Sequence, residues 1–315
     1  MEPELRRWYV NTPSSAASVD AGVVGLTAAQ LVPAAEQLGV VLGFQSAMHD
    51  AVPRATDRVD LHLPSYRGKS FIPVLAWLVA TRLSRSGTTV VWHVDKQQGP
   101  SSVERLLGSL GWQLDETKQG RMRQLMGQPP EDAGLPEPKQ FTVEIGDAVV
   151  HLAADYGVFS PGEIDAGTGL LLEVAKRGPA VEVLADIGTG YGPLAIGLVR
   201  NGIAERAVAT DVDCVALWLA TCNAESNGVA LDAVCSADPT AVEPTALTVC
   251  NIPTHIDAEQ TAVLMARLLQ RARDGRLLAV VHASLEGRYT RYLEQGGFSP
   301  VRHAGRAHVV LETGS

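Results

Sequence analysis

The segment Val183-Leu-Ala-Asp186-Ile-Gly188-Thr-Gly190-Tyr-Gly192-Pro193 constrains this 315-residue chain more than any other stretch. Its first half is apolar and of strand length. Its second half places a glycine at every other position and then a proline, a residue favoured at the first position of a helix. The pattern predicts a buried strand that turns sharply into a helix start. Alternate glycines permit positive φ and let a ligand approach the backbone, and the helix start offers N–H groups without intrahelical partners. A dinucleotide pyrophosphate does not suit this turn. The third glycine comes one residue early for GxGxxG, and Asp186, two residues before the first glycine, would repel a phosphate. A ligand of nucleoside character that carries positive charge suits it.

Strand-like and helical patterns alternate around this turn. Apolar runs at Val181–Ile187, Ala207–Thr210, Ala233–Ser236, Leu247–Asn251, Leu277–His282 and His308–Leu311 are separated by candidate helices at 193–201, 214–227, 258–273 and 287–295. One helix between successive strands predicts βαβ units and a mostly parallel sheet with helices on both faces, an α/β fold. Length asks for about two domains. The break falls at Gln128-Pro-Pro-Glu-Asp-Ala-Gly-Leu-Pro-Glu-Pro138, whose four prolines cannot continue a helix or a central strand. The expected division is residues 1–128, a linker at 129–138, and residues 139–315. The first part carries a weaker copy of the second. Val59-Asp-Leu-His-Leu-Pro64 lies 29 positions before His93, and Val249-Cys-Asn-Ile-Pro253 lies 29 positions before His282, with an apolar helix between the members of each pair.

Charge separates the two parts. Residues 1–140 hold 14 Lys+Arg and 14 Asp+Glu, whereas residues 141–315 hold 12 and 21, so the whole net charge of −9 belongs to the second part. Nucleic-acid binding leaves a basic footprint. Only the first part, where Arg54, Arg58, Arg67, Lys69, Arg82 and Arg85 gather, is placed to supply one. The cysteines, Cys214, Cys222, Cys235 and Cys250, contain no CxxC pair and no regular histidine partner, and are expected as reduced, mostly buried thiols with no metal. The longest nearly uncharged apolar run, around Val74 to Thr81, is far short of the roughly 20 residues that span a bilayer, so no membrane is expected as a partner. Met1 to Val10 shows no apolar core followed by small residues, which predicts a cytoplasmic chain without an export signal.

An acidic residue followed by three alternate glycines at the end of a strand resembles motif I of class I S-adenosylmethionine-dependent methyltransferases. The resemblance implies their Rossmann-like fold and S-adenosyl-L-methionine as cofactor. Asp186 would then lie near the methionyl amine, and Gly188, Gly190 and Gly192 would accommodate the cofactor. Asp211, at the end of the next strand, would hold the ribose hydroxyls, and Asp238, after the third, would stand near the adenine amine. Asp213, two residues past Asp211, reads instead as a helix cap. A narrower resemblance covers most of the chain. Gly157-Val-Phe-Ser160 followed by Asp165-Ala-Gly-Thr168-Gly-Leu-Leu-Leu-Glu173 is similar to small-subunit ribosomal RNA guanine-N2 methyltransferases of the RsmC type, which carry a degenerate, cofactor-free first copy of the fold. Phe159 would cover the cofactor.

The chain departs from that family at the catalytic strand end. Relatives have Asn-Pro-Pro-Phe, and this chain has Asn251-Ile252-Pro253-Thr254-His255. In the family the asparagine oxygen and the next carbonyl accept hydrogen bonds from an exocyclic amine, which directs its delocalised lone pair toward the methyl group. Asn251 keeps that part and also faces the cofactor; Pro253 keeps the second proline. Thr254 gives up the stacking of an aromatic ring on the base, worth about 1–3 kcal/mol. His255 is a candidate general base, with substrate positioning as its other role. His93 and His282 read as strand-end residues that satisfy local hydrogen bonds. Two acceptors are open: family resemblance favours ribosomal RNA, while the acidic balance and the altered strand end favour a nucleoside-like small molecule. A third reading is a cofactor-binding protein without methyl transfer. The number of associated chains is left open.

Overall fold

The computed structural model describes residues 5–12, 21–31, 40–55, 57–158, 164–253 and 256–314. The chain divides into two compact units, Met1–Pro138 with Asp155–Gly157, and Lys139–Ala154 with Val158–Ser315.

The first unit runs β1 (Arg7–Val10), β2 (Ala21–Gly25), α1 (Ala28–Leu31), β3 (Val40–Gly43), α2 (Phe44–His49), β4 (Arg58–His62), α3 (Ile72–Trp77), β5 (Thr89–Asp95), α4 (Pro100–Ser109), β6 (Gln113–Gln119) and β7 (Met122–Gln128). Its sheet has the order β3-β2-β1-β4-β5-β7-β6, parallel from β3 to β5 and antiparallel at β7 and β6. The apolar helix expected between Pro64 and His93 is built in pieces, a short 3-10 turn at Lys69–Phe71, then α3, then a wider turn at Leu78–Leu83.

The second unit opens with a hairpin of β8 (Gln140–Ile145) and β9 (Ala148–Ala153). There follow α5 (Ala166–Ala175), β10 (Val181–Ile187), α6 (Pro193–Arg200), β11 (Ala204–Asp211), α7 (Cys214–Ser226), β12 (Leu231–Cys235), β13 (Leu247–Asn251), α8 (Ala258–Asp274), β14 (Arg276–His282), α9 (Glu286–Gln295), β15 (Val301–Ala304) and β16 (His308–Thr313). The order β12-β11-β10-β13-β14-β16-β15 repeats that of the first sheet. In each sheet the chain order reverses beside the central strand, between β1 and β4 or between β10 and β13, where open α/β sheets receive their ligands.

Strand alternation divides the core of the second unit. Ala185 and Ile187 of β10, with Cys250, Ala279 and Leu311, pack against Met265, Leu268, Tyr289 and Leu293 from α8 and α9. Leu184 and Asp186 point to the opposite face, where the Ala195 N–H of α6 reaches the Asp186 carboxylate. Helix starts are capped as the sequence predicts for Asp213, which accepts from the Val215 and Ala216 N–H groups. Asp257 and Gln260 form a reciprocal capping box at α8. The hairpin is docked by two asparagines. Asn223 of α7 exchanges two bonds with the Ala153 backbone (2.6 and 2.9 Å), and Asn227 exchanges two with that of His151 (3.0 and 2.6 Å). Four residues of helix rise about 6 Å and two residues of strand about 6.6 Å, so the two amides meet the free edge of β9 in step.

The 29-residue spacing that relates His93 to His282 does not hold in the sheets. His93 lies opposite His62, and the residue opposite Asn251 is Val280. The first crossover is two residues longer, and the positional counterpart of His282 is Asp95. Among the described residues no helix is long and apolar enough to cross a membrane.

Candidate functional site

The glycine turn is shaped by its backbone. Gly188, Gly190 and Gly192 have φ of 74°, 59° and 91°, values that side chains disfavour. A Cβ on Gly188 or Gly190 would enter open space, whereas one on Gly192 would come within 3.2 Å of Ala220 and Ile196. The first two glycines therefore leave room above the turn, and the third lets α6 pack against α7. The turn is held down by the Gly188 and Thr189 N–H groups, which donate to the Thr210 carbonyl at 2.8 and 3.1 Å.

Two acids close around it. Asp186 is 1 % exposed, and its Oδ2 accepts from Thr189 Oγ1 (2.8 Å) and the Ala195 N–H (3.1 Å). Asp211 accepts from the Gly190 N–H at 2.8 Å and the Asp213 N–H at 2.9 Å. Among the described residues neither acid has a Lys or Arg partner. Burial, only partly offset by the Thr189 and Ala195 bonds and reinforced by the nearby Asp211 charge, pushes Asp186 up to about 7. Burial likewise raises Asp211 to about 6 against the backbone bonds it accepts. A buried and a half-buried carboxylate short of positive charge, beside a glycine cradle with open space above it, fit S-adenosylmethionine, whose sulfonium and amine are cationic and whose ribose hydroxyls are donors.

Asn251 ends β13, next to β10 in the sheet, with Ile187 opposite Cys250. Its Nδ2 donates to Asp165 Oδ2 at 2.9 Å and to Thr168 Oγ1 at 3.4 Å, and its Oδ1 has no partner among the described residues. Asp165 and Thr168 begin α5, which Asp165 also caps by accepting from the Gly167 and Thr168 N–H groups. Their contact with Asn251 had no separate signal in the sequence, because Asp-x-x-Thr before an apolar run already reads as a helix start. Ile252 is buried and donates its N–H to the Val280 carbonyl at 3.1 Å; Pro253 is exposed. Phe159, Thr254 and His255 lie outside the described residues.

Asp186, Gly188, Gly190, Gly192, Asp211 and Asn251 thus share the carboxyl edge of one sheet. Asp238 follows β12 on that edge but is already engaged. It accepts from the Thr240 N–H and hydroxyl at 2.9 and 2.7 Å and lies 3.5 Å from Arg267 Nε. Burial would raise its carboxyl, but the Thr240 bonds and Arg267 carry it below its ordinary range. His282 is a local cap, its Nδ1 2.7 Å from Ser284 Oγ. The expectation of four reduced thiols is corrected. Cys214 and Cys235 form a disulfide, and Cys222 and Cys250 are free. Cys235 stands opposite Asp211, and α7 begins with Cys214, so strand register brings together two residues 21 apart without a spacing motif.

The matching place in the first unit is occupied by its own side chains. Asn11 follows β1 as Gly188 follows β10, with φ 56°. Its Nδ2 donates to the His62 carbonyl and its Oδ1 accepts from Gln30, both at 2.8 Å. His62 stands where Asn251 stands, since Val10 pairs with Leu61 as Ile187 pairs with Cys250, and its ring stacks on His93 at 4.3 Å.

A family model for the methyltransferase small domain matches residues 149–304. The Ribosomal RNA small subunit methyltransferase C of Stutzerimonas stutzeri is 26 % identical over 289 residues, covering 88 % of this chain and 82 % of the relative. The protein of the same name from Pseudomonas putida strain W619 is 30 % identical over 173 residues, 53 % of this chain and 50 % of its own. Among solved structures, the T. thermophilus 16S rRNA N2 G1207 methyltransferase (RsmC), in complex with AdoMet and guanosine, superposes with a TM-score of 0.71 at 21 % identity, covering 98 % of this chain and 88 % of that one. This last likeness is one of fold.

Proposed function

This chain is an RsmC-like class I S-adenosylmethionine-dependent methyltransferase, and on that premise we propose that it methylates the exocyclic N2 of a guanine in small-subunit ribosomal RNA. The observation that carries the reading is Asn251, tied through Nδ2 to Asp165 and Thr168 with Oδ1 left to accept, on the same sheet edge as the glycine turn. Curated relatives that match over more than four fifths of their length are named for the ribosomal RNA of the small subunit.

When bound, the cofactor supplies a methyl group on a sulfonium; the acceptor nitrogen forms the new bond as sulfur keeps the old bonding pair, and the nitrogen then gives up one proton. The chain's own residues hold and orient the partners. Gly188, Gly190 and Gly192 cradle the cofactor, Asp186 faces its positive charge, Asp211 takes the ribose hydroxyls, and Asp238 borders the adenine end. An exocyclic amine has two N–H groups. Asn251 Oδ1 and the Ile252 carbonyl accept one each, which holds both hydrogens to one side and leaves the lone pair directed at the methyl group. Pro253 stiffens the chain as it leaves the strand. Phe159 as cofactor cover and His255 as base or positioning residue rest on the family resemblance alone. Residues 1–128, joined through 129–138 to the catalytic residues 139–315, are a copy of the fold that takes no cofactor.

Small ribosomal subunits from a strain lacking its own enzyme of this type, incubated with tritiated cofactor, should acquire label in N2-methylguanine. Label in a nucleoside-like small molecule instead would move the acceptor to that class, and label nowhere would leave a cofactor-binding protein. Asn251→Ala should abolish transfer with cofactor affinity unchanged by calorimetry.

A further inference from the structure

We propose that Asp165 is a positioning residue for methyl transfer, which with Thr168 dictates that the oxygen of the Asn251 amide, and not its nitrogen, faces the acceptor amine. The proposal rests on the reading of Asn251 as the residue that holds that amine. A primary amide has an accepting end and a donating end of almost the same shape, and rotation by 180° exchanges them. Presented oxygen first, Asn251 receives an N–H of the acceptor. Presented nitrogen first, it sets donor against donor, and the amine is not held.

The surroundings of Asn251 settle the choice. Asp165 Oδ2, 2.9 Å from Asn251 Nδ2, has only lone pairs to offer when ionised. Thr168 Oγ1 could act either way, but its single proton goes to the same Asp165 Oδ2 at 2.8 Å. Toward Asn251, at 3.4 Å, the hydroxyl therefore also offers only a lone pair. Two acceptors on one side fix the nitrogen there and leave Oδ1 on the other. The two oxygens of Asp165 divide their duties. Oδ1 accepts the Gly167 and Thr168 N–H groups at 2.7 and 3.2 Å and caps α5; Oδ2 serves Thr168 Oγ1 and Asn251.

That division makes the proposal separable from a structural role. Asparagine caps a helix about as well as aspartate, so Asp165→Asn keeps the cap through its oxygen and puts an NH2 group where Oδ2 was. Two NH2 groups would then face each other, and Asn251 turns over. The expected result is a fall in kcat of about 100-fold, the size seen when one oriented polar group is lost from a transition-state site, with cofactor affinity and melting temperature unchanged. Thr168→Val should slow turnover about fivefold and Thr168→Ser should restore it, the effect of losing one neutral hydroxyl partner. Unchanged kcat in Asp165→Asn overturns the proposal. Full turnover by Asn251→Ala overturns the underlying reading instead. A readout independent of acceptor is the Asn251 side-chain amide resonance in isotope-labelled protein. It should move in Asp165→Asn and stay in Thr168→Ser; no movement in Asp165→Asn also overturns the proposal.

Discussion

Two sheets of one strand order treat a buried acid in opposite ways. Asp60 of β4 in the first unit is met by Arg58 through two bonds at 2.7 Å and by His93 at 2.8 Å. Burial alone would raise its carboxyl, but the His93 bond and the Arg58 guanidinium bring it down to about 2. Asp186, more deeply buried than Asp60, and Asp211, half-buried at the end of β11, lack a cationic partner among the described residues and stand at about 7 and about 6. The turns after the central strands differ in the same sense. Asn11 is bonded to Gln30 and to the His62 backbone, while Gly188 and Gly190 border open space. The first sheet completes its polar groups internally, and the second leaves acids uncompensated, as a site that awaits a cationic ligand does.

The sharpest way to break this comparison is to remove one polar side chain at the matching place on each side. Asp186→Ala or Asp211→Ala should weaken cofactor binding about 100-fold or more, since removing one member of a desolvated charge pair costs roughly 2–5 kcal/mol. Asn11→Ala in the first unit should leave affinity unchanged. Titration calorimetry reads all three, and a loss of binding in Asn11→Ala would mean that the first unit is not the finished copy.

Much of this contrast was legible in the sequence. The strands at Val181–Ile187 and Leu247–Asn251 have the bounds expected of them, because short, mostly apolar runs flanked by turn residues have few other solutions. The glycine turn and the cap at Asp213 were equally plain, being local chemistry. What escaped depended on neighbours remote in sequence. The second oxygen of Asp165 meets Asn251 across 86 residues, and nothing near either residue marks it. The β8–β9 hairpin owes its seat to Asn223 and Asn227, which look like ordinary polar positions late in a helix. The two-residue difference between the crossovers, invisible in a spacing argument, is what detached His93 from His282.

The disulfide is another difference between the units, since all four cysteines belong to the second. Closing a loop between residues 21 apart should contribute roughly 3 kcal/mol by restricting the unfolded chain. Cys235→Ser or a reductant should lower the unfolding free energy of the second unit by about that amount. Hydrogen exchange resolved by unit should show the first unaffected; equal loss in both would show that they do not unfold separately.

Acidity should divide the units by sign. Asp186 and Asp211 are raised above their ordinary 3.8, so without cofactor their contribution to stability is full below about pH 4 and is lost as pH rises through about 6 and 7. Asp60 is lowered, so its contribution is present above about pH 4 and is lost as pH falls toward 2. Cofactor affinity, which needs the two acids ionised, should rise from pH 5 to 8, by about tenfold per unit for each group below its own pKa. A flat calorimetric profile over that range would remove the uncompensated acids from the comparison.

The smallest expected effect tests whether the comparison concerns ligands at all, because it falls two residues from Asp211. Asp213 spends its carboxylate on the Val215 and Ala216 N–H groups at 2.9 and 3.2 Å, so its loss should cost stability and not affinity. Asp213→Ala should lower the unfolding free energy by about 1 kcal/mol, the value of a helix cap. Its own N–H still donates to Asp211 Oδ1 in the variant, so the ribose-facing acid keeps its orientation. Cofactor affinity should therefore stay within twofold of the parent, about 0.4 kcal/mol, when calorimetry is run well below the melting temperature. An affinity loss approaching that of Asp211→Ala would show that the two acids act as one charged cluster, and that an acid left without a cation is not by itself what distinguishes the ligand-binding sheet.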